Sequence, residues 1–202
     1  MSYPFSELLT GSSQTQKGPQ RKFGPFHYYK ALKEIWASGR TGRARISNLL
    51  GIGEGSTRTL LDELESASYI SRSNAGIVLT AKGTAFMEGF PLRLAPMQHS
   101  SLSTGAHSTI AVAEGRGGHV TNGIAQRDAA IKSGGDGAIT IIVRNGRLIL
   151  PPDYIMVKDT AIKSAAFSEL RARDGDAVII ASGSTAILSE TAAFFAAMTL
   201  LE

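Results

Sequence analysis

Ser56, Thr57, Arg58 and Thr59 stand side by side in the chain, three hydroxyls around one guanidinium, and Arg43, Arg45 and Arg72 lie at short distances in sequence on either side. A guanidinium can donate two parallel hydrogen bonds to the edge of a guanine, while short hydroxyls reach phosphate oxygens or a thymine methyl. Arginines around such a run supply the sequence-independent part of binding, the neutralisation of phosphates. Asn74, in the polar tetrad Ser73-Asn74-Ala75-Gly76, adds a carboxamide to the set. The chemistry implied is recognition of double-stranded DNA rather than bond making. A plainer reading of Arg58 is an ion pair with Asp62, four residues on, along an exposed helix.

The elements around these residues are of the kind that could present them. Pro25 follows Gly24 and suits a first helical position, after which Phe26, Tyr29, Leu32, Ile35 and Trp36 recur at three- and four-residue spacing, predicting a core-packing helix. A polar turn over 39–42 leads past Arg43 and Arg45 to a short second helix with Ile46, Leu49 and Leu50 on its apolar face, ended by Gly51. The turn 52–55 opens a third helix to about Ser68. Thr57, Leu60, Leu61 and Leu64 share one of its faces, and Ser56, Arg58, Thr59 and Asp62 the other. Two short strands, 69–72 and 77–80, flank the Ser73–Gly76 turn, and Thr80 caps a fourth helix through Met87. Three helices, a two-stranded wing and a helix is the order of a winged helix-turn-helix, which places its third helix in the major groove. Leu61-Asp62-Glu63-Leu64-Glu65 followed by Tyr69-Ile70 resembles the corresponding stretch of MarR-type regulators. That resemblance implies phosphate contacts from Arg40, Arg43, Arg45 and Arg72. Asp62, Glu63 and Glu65 would repel phosphates and are expected on the far half of the third helix.

Charge and composition fit this reading. The 202 residues carry a net +4, distributed as roughly +5 over 1–99 and roughly −1 over 100–202. No apolar run approaches the roughly 20 residues of a membrane span; the longest, 192–201, is half that. No membrane association is expected. With no cysteine and no secretion signal, the expected location is cytoplasmic. Residues 1–21, rich in Ser, Gln, Gly and Lys, read as a mobile tail, and 22–90 as the DNA-binding domain.

Residues 91–107 hold two prolines, serines and a glycine and read as a linker, leaving 108–202 as a second domain. His99, His107 and His119 match no ligand spacing, so no metal is expected. In the second domain a strand at 109–113, a helix at 124–132, strands at 138–143 and 148–150 around Asn145-Gly146, a helix at 161–171, a strand at 177–180 and a helix at 184–201 give the order β-α-β-β-α-β-α. The fold class predicted is α+β: a winged helix followed by a two-layer α/β sandwich of ferredoxin-like or related topology. The Gly-rich stretch 114–119 lacks the spacing of a phosphate-binding loop and reads as a flexible connection. Ser182-Gly183-Ser184-Thr185 reads as an anion site or a plain helix cap, and Asp128 as a surface partner of Lys132. No nucleophile, base and orienting group stand together, so neither a catalytic site nor a cofactor is expected.

The run Gly53-Glu54-Gly55-Ser56-x-Arg58-Thr59-Leu60-Leu61, then Arg127-Asp128-x-Ala130-Ile131-Lys132, the run 132–142 and Asp174-Gly175-Asp176-Ala177-Val178-Ile179-Ile180, resembles an archaeal family of two-domain proteins described as candidate transcriptional regulators. It implies a winged helix joined to a two-layer domain akin to the small insert domain of bacterial aspartyl-tRNA synthetases, and no catalytic residues. A homodimer with an unidentified small-molecule effector is the expectation. Two alternatives stand beside it. Winged helices also serve as protein-docking modules, and archaeal CTP-dependent riboflavin kinases join one to a small β-barrel; Thr121-Asn122 resembles their Thr-x-Asn metal motif without the intervening residue.

Overall fold

The computed structural model describes residues 22–98 and 100–201. The tail 1–21 and His99 lie outside the described residues. Two compact units divide between Phe90 and Pro91.

The N-terminal unit opens with α1 (Pro25–Ser38), α2 (Arg43–Leu50) and α3 (Glu54–Ser66). Gly51 closes α2 with φ +64° and ψ +21°, a left-handed conformation that costs a residue without a Cβ little. An antiparallel hairpin, β1 (Ile70–Ser73) and β2 (Gly76–Leu79), follows. The hydroxyl of Thr80 then accepts the Gly83 N–H at 3.1 Å and caps α4 (Ala81–Gly89). The core gathers Tyr28, Leu32 and Ile35 from α1, Ile46 from α2 and Leu60, Leu61 and Leu64 from α3, all fully buried. Trp36, expected among them, is 48 % exposed. The buried stripe of α1 is centred on Tyr28, Ala31, Leu32 and Ile35, and at 100° per residue Trp36 falls about 90° from that centre.

The C-terminal unit is built on a six-stranded, wholly antiparallel sheet of order β3-β4-β8-β5-β6-β7. Its strands are β3 (Leu92–Met97), β4 (His107–Ala113), β5 (Gly137–Arg144), β6 (Arg147–Leu150), β7 (Ile155–Met156) and β8 (Ala177–Gly183). The segment read as a linker therefore contains an edge strand. Leu92 and Leu94 point inward, and Pro96 is tolerated because an edge strand has no neighbour on its outer side to receive an N–H.

Helices cover both faces of this sheet. Helix α5 (Ile124–Lys132) and α7 (Ala186–Met198) share one face, where the Thr109 and Ser189 hydroxyls meet at 2.9 Å. On the other, α6 (Thr160–Lys163) runs on as a π-helix (Ser164–Glu169) and packs Ile162, Ala165 and Ala166 on Ile110, Val112, Val178 and Ile180. This corrects the two-layer, ferredoxin-like expectation, in which both helices would lie together. The cause is β7, an extra strand after β6 that reverses the chain. Its return through α6 to β8 joins antiparallel strands and escapes the right-handed rule that would have brought the helix to the first face.

Candidate nucleic-acid interface

Helix α3 turns by 100° per residue, and its four apolar-side positions, 57, 60, 61 and 64, all reach zero exposure. Arg58 and Thr59 are consequently exposed and Ser56 half-buried, at the N-terminal end of the helix. Thr57, counted among the candidate DNA contacts, is not one: its hydroxyl is buried and donates to the Gly53 carbonyl at 3.2 Å. Thr59 donates to Gly55 at 3.2 Å and keeps its oxygen free to accept. Arg58 does not pair with Asp62, which is taken by Arg72, and it has no ion-pair partner among the described residues.

The hairpin is fixed beside these helices by a third strand segment. Thr41 N–H donates to Ile77 O at 3.0 Å and Ile77 N–H to Thr41 O at 2.8 Å. Gly76 sits against this junction with φ +122°, and a Cβ there would lie 2.9 Å from the Thr41 carbonyl and 3.1 Å from the Arg40 side chain. Arg40 is thus placed beside the hairpin. Arg40 and Arg43 are both exposed and, among the described residues, have no ion-pair partner. Asn74 is exposed at the hairpin tip, where the Ser73 hydroxyl accepts the Ala75 N–H at 3.2 Å.

Two of the expected phosphate-binding arginines are engaged elsewhere. Arg45 Nε lies 2.6 Å from a Glu34 carboxylate oxygen, although its own side chain remains largely exposed. Arg72 is held more firmly: Nε donates to Glu65 at 2.8 Å, Nη2 sits 2.7 Å from Asp62, and its backbone N–H donates to Glu65 at 3.0 Å. The hydrogen bond from Arg72 holds the Glu65 carboxyl below the ordinary carboxylate value, and the same bond raises the guanidinium of Arg72. Glu63 accepts a hydrogen bond from the Tyr28 hydroxyl. The carboxylates on the latter part of α3 are therefore all partnered inside the unit, which leaves Arg40, Arg43 and Arg58 as cations open to an external anion.

The C-terminal unit yields corrections of its own. Asp128 meets Arg127 at 3.2 Å, not Lys132. The Gly-rich connection is tied down, since the Gly115 N–H donates to Asp176 at 2.8 Å and the Gly117 N–H to the Gly175 carbonyl at 2.7 Å. Thr185 is a plain N-cap, its hydroxyl accepting the Leu188 N–H at 3.3 Å. Asn122, from the pair resembling a kinase metal motif, accepts the Ile124 N–H at 3.1 Å, and the open sheet is not a barrel. A cavity of about 340 Å³ lined by Gly117, Gly118, Val143, Arg144, Tyr154 and Asp174 was not foreseen, because its walls come from four separate segments.

Residues 104–200 match the family model for a domain of unknown function, DUF4443. The DUF4443 match thus falls entirely within the C-terminal unit, from the turn before β4 to just past α7. Among solved structures the chain is similar to "Hypothetical protein PH0730 from Pyrococcus horikoshii OT3", with 25% identity and a TM-score of 0.63 over 86% of this chain and 91% of that one. Both matches fit the archaeal family that the sequence resembles. No curated protein matches. Among the described residues no helix is long and apolar enough to cross a membrane.

Proposed function

We propose that the N-terminal unit is a winged helix that binds double-stranded DNA, and that the chain acts as a transcription regulator. In this reading α3 enters the major groove with Arg58, Ser56 and Thr59 toward the bases, and the β1–β2 hairpin lies alongside with Asn74 at its tip. Arg40 and Arg43 meet phosphates, and Arg45 joins them by exchanging Glu34 for a phosphate oxygen. The C-terminal unit pairs two copies on a two-fold-related site or takes a small ligand.

The observation that carries this reading is the sorting of charge around α3. Every acidic side chain on its latter part is partnered within the unit, while Arg58, Arg40 and Arg43 are exposed without ion-pair partners among the described residues. Titrating labelled duplex DNA with the full chain over a series of salt concentrations tests it. Binding that weakens steeply with salt is expected. Retention of a protein partner with no DNA binding at low salt would favour the docking module instead.

A further inference from the structure

Arg144 and Arg147 stand directly opposite each other across the β5–β6 hairpin, which sets both side chains on one face of the sheet. Like charges so placed repel, and both are exposed without an ion-pair partner among the described residues. An external anion would relieve that repulsion. Arg144 also lines the cavity of about 340 Å³ at the end of β5, a size at the low end for small-ligand sites. Its guanidinium lies 6.0 Å from the centre of the Tyr154 ring, in the same cavity wall. Tyr154 is 62 % exposed and holds φ +55°, a left-handed conformation unfavourable for an aromatic residue. Burial does not account for that placement, and backbone strain of this kind collects at ligand sites.

The remaining walls combine apolar and polar surface. Half-buried Val120 and Ile142 supply hydrocarbon, Ile142 on the same face of β5 as Arg144. Gly118 puts no side chain into the space: a Cβ there would meet nothing within 4 Å, and its N–H has no hydrogen-bond partner among the described residues. One oxygen of Asp174 accepts the Gly146 N–H at 2.8 Å and the other stays an acceptor. Two guanidiniums against one carboxylate leave a net positive charge beside an exposed ring. We propose that this cavity binds a nucleoside monophosphate, its phosphate on Arg144 and Arg147, its base stacked on Tyr154 and a sugar hydroxyl on Asp174. A zwitterionic amino acid would satisfy Arg144 and Asp174 but leave Arg147 unpaired. The proposal rests on the reading that the C-terminal unit takes a small ligand, whose class it names, and it uses none of the arginines assigned to DNA.

Titrating the isotope-labelled full chain with adenosine monophosphate to about 5 mM, while following its backbone amide resonances, reaches even a millimolar dissociation constant and tests the proposal. The amides of Gly117, Gly118 and Tyr154 should move and saturate, and those of the N-terminal unit should stay in place. Adenosine, which lacks the phosphate, and ribose phosphate, which lacks the base, should each bind more weakly. Arg144→Ala removes a charged hydrogen-bond donor and should weaken adenosine monophosphate roughly tenfold or more. Tyr154→Ala should weaken it about fivefold or more through lost stacking, and Tyr154→Phe should not. Both positions are exposed, so the circular dichroism spectrum should be unchanged. No saturable shift in the C-terminal unit, shifts confined to the N-terminal unit, or an Arg144→Ala chain that binds like the wild type overturns the proposal. If an aromatic amino acid saturates the cavity and adenosine monophosphate does not, the nucleotide fails while the small-ligand reading survives. If neither binds, the cavity is no ligand site and both fail, with the DNA reading untouched.

Discussion

Arg72→Ala separates the two tasks a guanidinium can have beside a helix proposed to read DNA, neutralising phosphate or neutralising the protein's own carboxylates. The structure assigns Arg72 to the second, with Nε 2.8 Å from Glu65 and Nη2 2.7 Å from Asp62. The three side chains are 32 %, 38 % and 52 % exposed, so solvent screens the network and its contribution to stability is small. Its loss should lower the melting temperature slightly but measurably. Without Arg72, Asp62 and Glu65 face the polyanion uncompensated. At about 10 Å in a water-like dielectric each costs about 0.4 kcal/mol, together about a fourfold loss of affinity at low salt. The slope of log K against log salt should not change, because no phosphate contact is removed. Arg58→Ala should behave in the opposite way. Melting should be almost unaffected, and either the slope becomes shallower by about 0.9 or about 1–3 kcal/mol of base discrimination disappears. Fluorescence anisotropy over a salt series, with calorimetric melting of the same samples, reads all of these quantities. If Arg72→Ala flattened the slope by a full contact and left melting untouched, Arg72 would be on phosphate and the charge sorting around α3 would be wrong.

Three further outcomes follow from particular contacts. Thr57→Val should leave DNA affinity unchanged and cost at most about 1 kcal/mol in urea unfolding, since the buried hydroxyl serves only the Gly53 carbonyl, which also accepts the Thr57 N–H; a clear loss of DNA binding would return Thr57 to the interface. Gly183→Ala places a Cβ 2.7 Å from the Ser189 nitrogen and 3.0 Å from the Leu188 carbonyl carbon, backbone atoms that cannot step aside singly. It should destabilise the C-terminal unit by about 1–3 kcal/mol, and unchanged melting would contradict the close seating of α7 on β8. Because the hydrogen bond from Arg72 lowers the Glu65 carboxyl, the folded chain binds that proton less readily than the unfolded chain. The resulting stability is fully present above the unfolded value of about 4.3 and is lost as pH falls through the lower folded one, so wild-type and Glu65→Gln unfolding midpoints should converge in acid; curves that stay parallel would refute the linkage.

Most of the N-terminal unit could be read from the sequence because its signals are local. Helical spacing, Gly51 and the Thr80 cap each act within a turn or two, and they placed the helices and the hairpin to within a residue or two. What stayed hidden depends on partners distant in sequence. Arg72 could be seen as a cation, but not that Asp62 and Glu65 would claim it. Asn145-Gly146 announced its hairpin, and both residues do adopt positive φ, +52° and +65°. The short strand β7 had no period of its own, and missing it concealed why α6 crosses to the other face. One clue to that was present: Ala177-Val178-Ile179-Ile180 is apolar at every position, as a strand covered on both sides must be. Pro91 and Pro96 suggested a linker because proline opposes strand pairing, yet an edge strand escapes that restriction.

The central claim is that Arg40, Arg43 and Arg58 form an external anion site for duplex DNA. Its most direct test is the salt dependence of the wild-type chain on a double-stranded fragment. Phosphate contacts from Arg40, Arg43 and Arg45 at about 0.9 each predict a slope near −3, so that affinity falls about 40-fold between about 50 mM and about 200 mM salt. Absence of binding at the lower concentration, or binding that does not respond to salt, would contradict the account.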